Sequence, residues 1–147
     1  MVMNKQIRVV VADNDVDFLN RINDFLDKQE DVKVVSVVRD GLGAVNASKE
    51  TMPDVVLMDL HLPVLDSIKT IQTIVAQNEH MRILGASSVV DDRYAIEAIK
   101  AGARGYVKKN GNGALNYEEI VSAIRQVAND EVVLDPALAF HILQEFS

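Results

Sequence analysis

The chain has 147 residues, enough for one domain of about 150 with a short appendage and too few for a second catalytic domain. Its 48% hydrophobic content supplies a core, and the absence of cysteine excludes a disulfide framework, a thiolate zinc site and a cysteine nucleophile. Fifteen Lys and Arg against 22 Asp and Glu leave a net charge of −7, which repels polyphosphate backbones and excludes a DNA-binding surface on this chain itself.

Short β-branched runs alternate with longer helical patterns, which predicts an α/β fold with a parallel sheet. Ile7 to Ala12 is the first strand, an apolar run broken only by Arg8 and of the kind carried by parallel strands covered on both faces. After Asp15, the residues Phe18, Leu19, Ile22, Phe25 and Leu26 recur at helical spacing and form one buried stripe. Val32 to Val38 is a second strand, interrupted by Lys33 and Ser36 as suits an edge, and Leu42 to Ser48 a short Ala-containing helix. Val55 to Met58 is the third strand, followed by a helix through Leu65, Ile68, Ile71 and Val75.

Arg82 to Ala86 is the fourth strand, weakened in the middle by Gly85. Ala95, Ile96 and Ile99 mark a fourth helix that Gly102 can terminate. Gly105 to Val107 is the fifth strand, and Asn110-Gly111-Asn112-Gly113 reads as a flexible connection. Asn116 with Glu119 has the pattern of a capping box for a fifth helix through Ile120, Ile124 and Val127. Asp135-Pro136 opens a sixth helix whose apolar face, Ala139, Ile142, Leu143 and Phe146, packs back on the domain or meets a partner. No apolar run approaches the ~20 residues of a membrane span, and no signal-peptide stretch opens the chain, so a cytoplasmic protein without membrane contact is expected.

Right-handed crossovers with helices on both faces make a (βα)5 doubly wound, flavodoxin-like sheet of order 2-1-3-4-5 the economical topology. Its switch point lies between the first and third strands, whose carboxyl ends carry Asp13, Asn14 and Asp59. Each Asp alone could simply cap a helix. Together, without Cys or His, the oxygen donors favour a hard cation such as Mg²⁺. Ser87 and Lys109 end the fourth and fifth strands on the same edge, and carboxylates, a hydroxyl and an ammonium in one cleft suit a metal and a phosphoryl group. Other candidates are weaker. His61 is either over this cleft or a solvent-facing loop residue, His80 and His141 lack metal spacing, and Asp15 and Asp17 favour the positive end of the first helix.

With these residues in place, positions 5 to 130 resemble the CheY-like receiver domain of two-component response regulators. The resemblance implies that Asp59, in Asp59-Leu60-His61-Leu62-Pro63, is the phosphoacceptor, that Asp13 and Asn14 match the acidic pair, and that Lys109 matches the family's lysine. It further implies that Ser87 and Tyr106 are the hydroxyl and aromatic switch residues, and that Mg²⁺ is held by Asp13, Asn14, Asp59 and the His61 backbone carbonyl. The segments Asp54 to Asp59 and Ala101 to Tyr106 look like the NarL/FixJ class, and Glu131 to Pro136 resembles that class's linker.

The implied partners are a sensor histidine kinase or phosphotransfer protein and, on activation, a second copy of the chain. DNA would be reached only through an output domain absent from this chain, so residues 131–147 are expected to be a linker and extra helix of a regulator that is truncated or has lost its output domain. The chain departs from the family at Asn14, where a second acid is usual, at Val64 and Ser67, which replace common glycines, and in a longer segment from Asn110 to Leu115. The rival readings are a pseudo-receiver that binds partners without phosphorylation and a small flavodoxin-like ligand-binding or hydrolytic protein. On the receiver reading the chain is a switch and not a turnover enzyme.

Overall fold

Ile7–Ala12 (β1), Val32–Val38 (β2), Val55–Asp59 (β3), Arg82–Ser87 (β4) and Gly105–Lys108 (β5) pair in parallel in the order β2-β1-β3-β4-β5. They belong to a computed structural model that describes residues 5–88, 92–111 and 114–145. The apolar runs occupy the centre: Val9, Val10, Val55 and Val56 have no exposed surface, while β2 lies at the edge and is only partly buried or exposed after Val32. Side chains of β1 divide between two cores, because successive residues of a strand face opposite ways. Val9 and Val11 join the cluster of helices Val16–Asp27 (α1) and Tyr117–Ala128 (α5). Val10 and Ala12 join the one containing residues of Gly41–Thr51 (α2), Ser67–Gln77 (α3) and Asp92–Ala101 (α4).

Register decides what the sheet presents at its carboxyl edge. Ala12 pairs with Met58, so Asp13 and Asp59 each follow one step beyond paired neighbours, and Ser87 pairs with Lys108, directly before Lys109. Gly85 has a positive role in this packing. A Cβ there would lie 2.9 Å from Leu60 Cδ2, so the missing side chain makes room for the residue after Asp59.

Four local expectations need correction. Asn110–Gly111 (β6) and Ala114–Leu115 (β7) pair as an antiparallel hairpin, with Asn112 and Gly113 outside the described residues, so the connection is not simply flexible. Asn116 starts α5 without a side-chain bond to the backbone, and its amide donates to the Glu119 carboxylate instead. Leu65 precedes α3, whose fully buried residues are Ser67, Thr70, Ile71 and Ile74, while the expected Ile68 and Val75 pack partly buried against the same core. The sixth helix, Pro136–Glu145 (α6), buries Leu138 and packs Ile142 against the α4-side core, while Leu143 is exposed and Phe146 lies outside the described residues. The side chain of Asp135 caps it by accepting from the Leu138 N–H at 2.7 Å.

The segment before α6 adds one bridge to the free edge of β5. The Tyr106 N–H donates to the Val133 carbonyl at 2.9 Å and the Val133 N–H to the Arg104 carbonyl at 3.1 Å. Lys100 of α4 then pairs with Glu145 at 3.0 Å. Among the described residues no helix is long and apolar enough to cross a membrane.

Candidate functional site

The first turn beyond β1 is built by two aspartates. Asp13 Oδ1 accepts the Asp15 N–H at 2.9 Å, and Asp15 in turn caps α1 by accepting from the Phe18 N–H at 3.2 Å. Asp13 is thereby turned inward and Asp15 outward. Asp13 Oδ2 makes an ion pair with the Lys109 ammonium, which also lies 3.5 Å from Asp59 Oδ2 and 4.5 Å from the centroid of the Phe18 ring. A cation above an aromatic face in a desolvated site is attracted by the ring quadrupole, so Phe18 helps to hold the ammonium in place. Its backbone is fixed as well, since the Lys109 N–H donates to the Ser87 carbonyl at 3.0 Å and the Lys109 carbonyl accepts from Asn116 at 2.8 Å, across the base of the hairpin.

On β3, Asp59 Oδ1 accepts the His61 N–H at 3.2 Å. Asp13, Asp59, Ser87 and Lys109 are all buried. Burial pushes the Asp13 carboxyl above the ordinary carboxylate range, an effect that the Lys109 ion pair and the Asp15 N–H only partly offset. Two carboxylates face one ammonium, leaving a negative excess in a desolvated cleft. Among the described residues no three His, Cys, Asp or Glu side chains converge as metal ligands. Two carboxylates with carbonyl oxygens nevertheless fit Mg²⁺, which keeps several waters and takes one or two protein carboxylates.

The structure thus brings Asp13, Asp59 and Lys109 into direct contact and ties Ser87 to Lys109 through the backbone. Asn14 is at the same strand end but exposed. Tyr106 is buried in the α4-side core and not in the cleft. His61 reaches Asp59 by its backbone, while its exposed side chain tilts against Tyr94 with ring centroids 5.1 Å apart.

Residues 9–125 match the family model for the response regulator receiver domain. The chain belongs to this family. The receiver is 34% identical over 137 residues to the transcriptional regulatory protein YhcZ of Bacillus subtilis, covering 93% of this chain and 62% of that protein. It therefore spans less than two thirds of that relative. Among solved structures, a LuxR-family two-component response regulator from Aurantimonas sp. SI85-9A1 superposes with a TM-score of 0.84 at 27% identity, covering 97% of this chain and 99% of that one. The response regulator domain of Thermotoga maritima CheB gives 0.75 at 31% identity, covering 90% and 100%.

Three contributors to this receiver's site escaped the sequence reading. Phe18 carries the period of a core helix, and nothing in the pattern says that Lys109 rests on its ring. Asp66 could have been found, as an Asp directly before a helical apolar period; it caps α3 and also accepts the Tyr94 hydroxyl at 2.7 Å. Tyr94, on α4, has no local signal at all.

Proposed function

We propose that this receiver is a phosphorylation switch in which Asp59 accepts a phosphoryl group from a sensor histidine kinase or phosphotransfer protein. The observation that carries the reading is the buried ammonium of Lys109 in contact with both Asp13 and Asp59 at the switch point of the sheet. In the transfer, an Asp59 oxygen forms the new bond to phosphorus as the bond to the donor's imidazole nitrogen breaks, with no further base needed. Lys109 offsets the negative charge of the incoming group, and the Ser87 hydroxyl would donate to one of its oxygens. Asp13, Asn14, Asp59 and the His61 carbonyl would hold Mg²⁺, which when bound supplies Lewis-acid neutralisation of phosphoryl charge.

Ser87 and Tyr106 carry the change to α4, β5 and α5, where a second copy of the chain binds on activation. On this reading residues 5–130 are the receiver, and 131–147 link it to an output domain that controls transcription. The protein is a switch of the cytoplasm and not a turnover enzyme.

A neutral, exposed Asn14 favours one alternative, a pseudo-receiver that binds partners without phosphorylation. Incubation with Mg²⁺ and a small phosphodonor, read by intact mass, separates the two. The switch predicts one adduct on the wild-type protein and none on Asp59→Asn, which keeps the shape and lacks the nucleophile. Full labelling of Asp59→Asn overturns the assignment, and an unlabelled wild-type protein supports the pseudo-receiver.

A further inference from the structure

We infer that Ser67 is a positioning residue for the acceptor site, orienting the peptide that follows Asp59 from inside helix α3. The position looks unpromising in sequence, since a serine merely stands where related loops carry glycine. In the structure it is buried, with 1% of its surface exposed. Its hydroxyl donates to the Asp59 backbone carbonyl at 3.0 Å and accepts the Leu62 N–H at 3.1 Å, so a single oxygen closes the loop from Asp59 to Leu62. Glycine or alanine could do neither.

The Leu62 N–H belongs to the same peptide unit as the His61 carbonyl. No described peptide bond is cis, and in a planar trans unit the carbonyl points opposite to the N–H. By holding the Leu62 N–H, Ser67 turns the His61 carbonyl away from α3. The same closed loop presents the His61 N–H to Asp59 Oδ1 at 3.2 Å. One hydroxyl therefore sets both polar groups of His61, the donor to the nucleophile and the carbonyl assigned above to the cation.

The anchor is itself held firmly. Ser67 is the first residue of α3, directly after Asp66, whose side chain accepts from the Ile68 N–H at 3.0 Å and from the Tyr94 hydroxyl of α4. Ser67 thus transfers the rigidity of a capped helix, itself tied to α4, onto a loop that is also tied to β4 by the Leu60 N–H on the Ala86 carbonyl at 3.0 Å and to α2 by the Gly41 N–H on the Pro63 carbonyl at 3.2 Å. A buried hydroxyl with both of its bonds made to the backbone is a costly one to remove, because the Leu62 N–H would be left buried without a partner.

The inference deepens the proposed function and rests on it, and its test separates the two. In the full chain, Ser67→Ala, Ser67→Thr and wild type are titrated with Mg²⁺ while the Leu62 and His61 amide resonances are followed by NMR. Phosphorylation by a small phosphodonor is then measured at saturating Mg²⁺. Ser67→Ala is expected to weaken Mg²⁺ by roughly fivefold to tenfold, the range for one lost hydrogen bond. It should lower the maximal phosphorylation rate by a similar factor, leave half-saturation by the donor unchanged, and speed hydrogen exchange at Leu62. Ser67→Thr, which keeps the hydroxyl, is expected to restore all of these.

Wild-type Mg²⁺ affinity and a protected Leu62 amide in Ser67→Ala would overturn the assignment. So would equal losses in Ser67→Ala and Ser67→Thr, since packing alone would then account for them. If Ser67→Ala does not fold, Ser67→Cys keeps the side-chain shape with a somewhat larger and more weakly hydrogen-bonding group and carries the same comparison. A wild-type protein that binds Mg²⁺ but takes no phosphoryl group sinks the proposed function and leaves the Mg²⁺ comparison to decide Ser67. One that binds no Mg²⁺ sinks both.

Discussion

At the carboxyl end of the sheet the side chains of Lys109, Asp13 and Asp59 are 6%, 2% and 9% exposed, whereas at the amino end Arg82 is 25% and its partner Asp130 61% exposed. Both ends join aspartates to basic side chains, a lysine at one and arginines at the other, and the electrostatics are opposite. At the amino end each acid meets well-placed guanidinium groups. Arg82 and Arg104 reach Asp130 Oδ1 at 2.8 and 2.9 Å, and Arg125 holds Asp31 through two nitrogens at 2.8 and 3.0 Å. These pairs hold the carboxyls of Asp130 and Asp31 below the ordinary value and fasten chain segments that meet at that end. At the carboxyl end, desolvation dominates and pushes Asp13 up. Paired charge in water secures a fold, whereas an imbalance kept dry retains the capacity to bind a cation or a phosphoryl group.

The sharpest way to break this contrast is to remove the Lys109 ammonium from the buried site. Lys109→Met leaves two buried carboxylates without a counter-charge and is expected to cost about 3 kcal/mol in the metal-free protein. Denaturant unfolding measures it, and a loss no larger than that from an exposed pair would mean the cleft is effectively wet.

Acid should act on the two ends with opposite sign. A carboxyl whose pKa is raised on folding favours the folded state once protonated, so the Asp13 contribution improves as pH falls through its raised pKa towards the ordinary 3.8. The lowered pKa of Asp31 works the other way, its stabilisation being present above 3.8 and lost as pH falls through the folded value. Wild type should therefore gain stability relative to Asp13→Asn as pH falls towards 3.8, and lose its advantage over Asp31→Asn only below 3.8. A pH-independent difference between wild type and Asp13→Asn contradicts the desolvation account.

Position 14 tests how far the buried character extends. Asn14 is exposed, so an added carboxylate should be felt at high effective dielectric. Asn14→Asp is expected to tighten Mg²⁺ by about 1–2 kcal/mol, or roughly tenfold, in a calorimetric or NMR titration. Equal affinities would put residue 14 outside the cation's reach. The smallest effect belongs to the exposed end, where Asp31→Asn should cost about 0.5 kcal/mol at neutral pH and less at high salt. A loss of several kcal/mol there would abolish the distinction between the ends.

Much of this molecule was legible in one dimension. The four-residue apolar runs Val9 to Ala12 and Val55 to Met58 and the stripe from Phe18 to Leu26 required only period and burial, and the strand bounds shifted by a single residue at the ends of β3, β4 and β5. Chain order with right-handed crossovers then places Asp13, Asp59, Ser87 and Lys109 on one edge. Patterns that depend on a partner distant in sequence were not legible. The periodicity after Pro136 offers several apolar residues, and only the docking of α6 selects Leu138 and Ile142 for burial. A run of Asn and Gly reads as loose until its two sides pair as β6 and β7.

The sequence by itself determined the order of elements, the two apolar faces of the sheet and the chemical identity of the residues at its carboxyl edge, because all three follow from local period and strand ends. Tertiary structure alone decided which charges meet and how dry they are. Lys109 is 96 residues from Asp13 along the chain and rests on a core phenylalanine, and Ser67 reaches back eight residues to the backbone of Asp59. Such contacts depend on register and helix docking to within an ångström, and hydrophobic period carries no information at that scale.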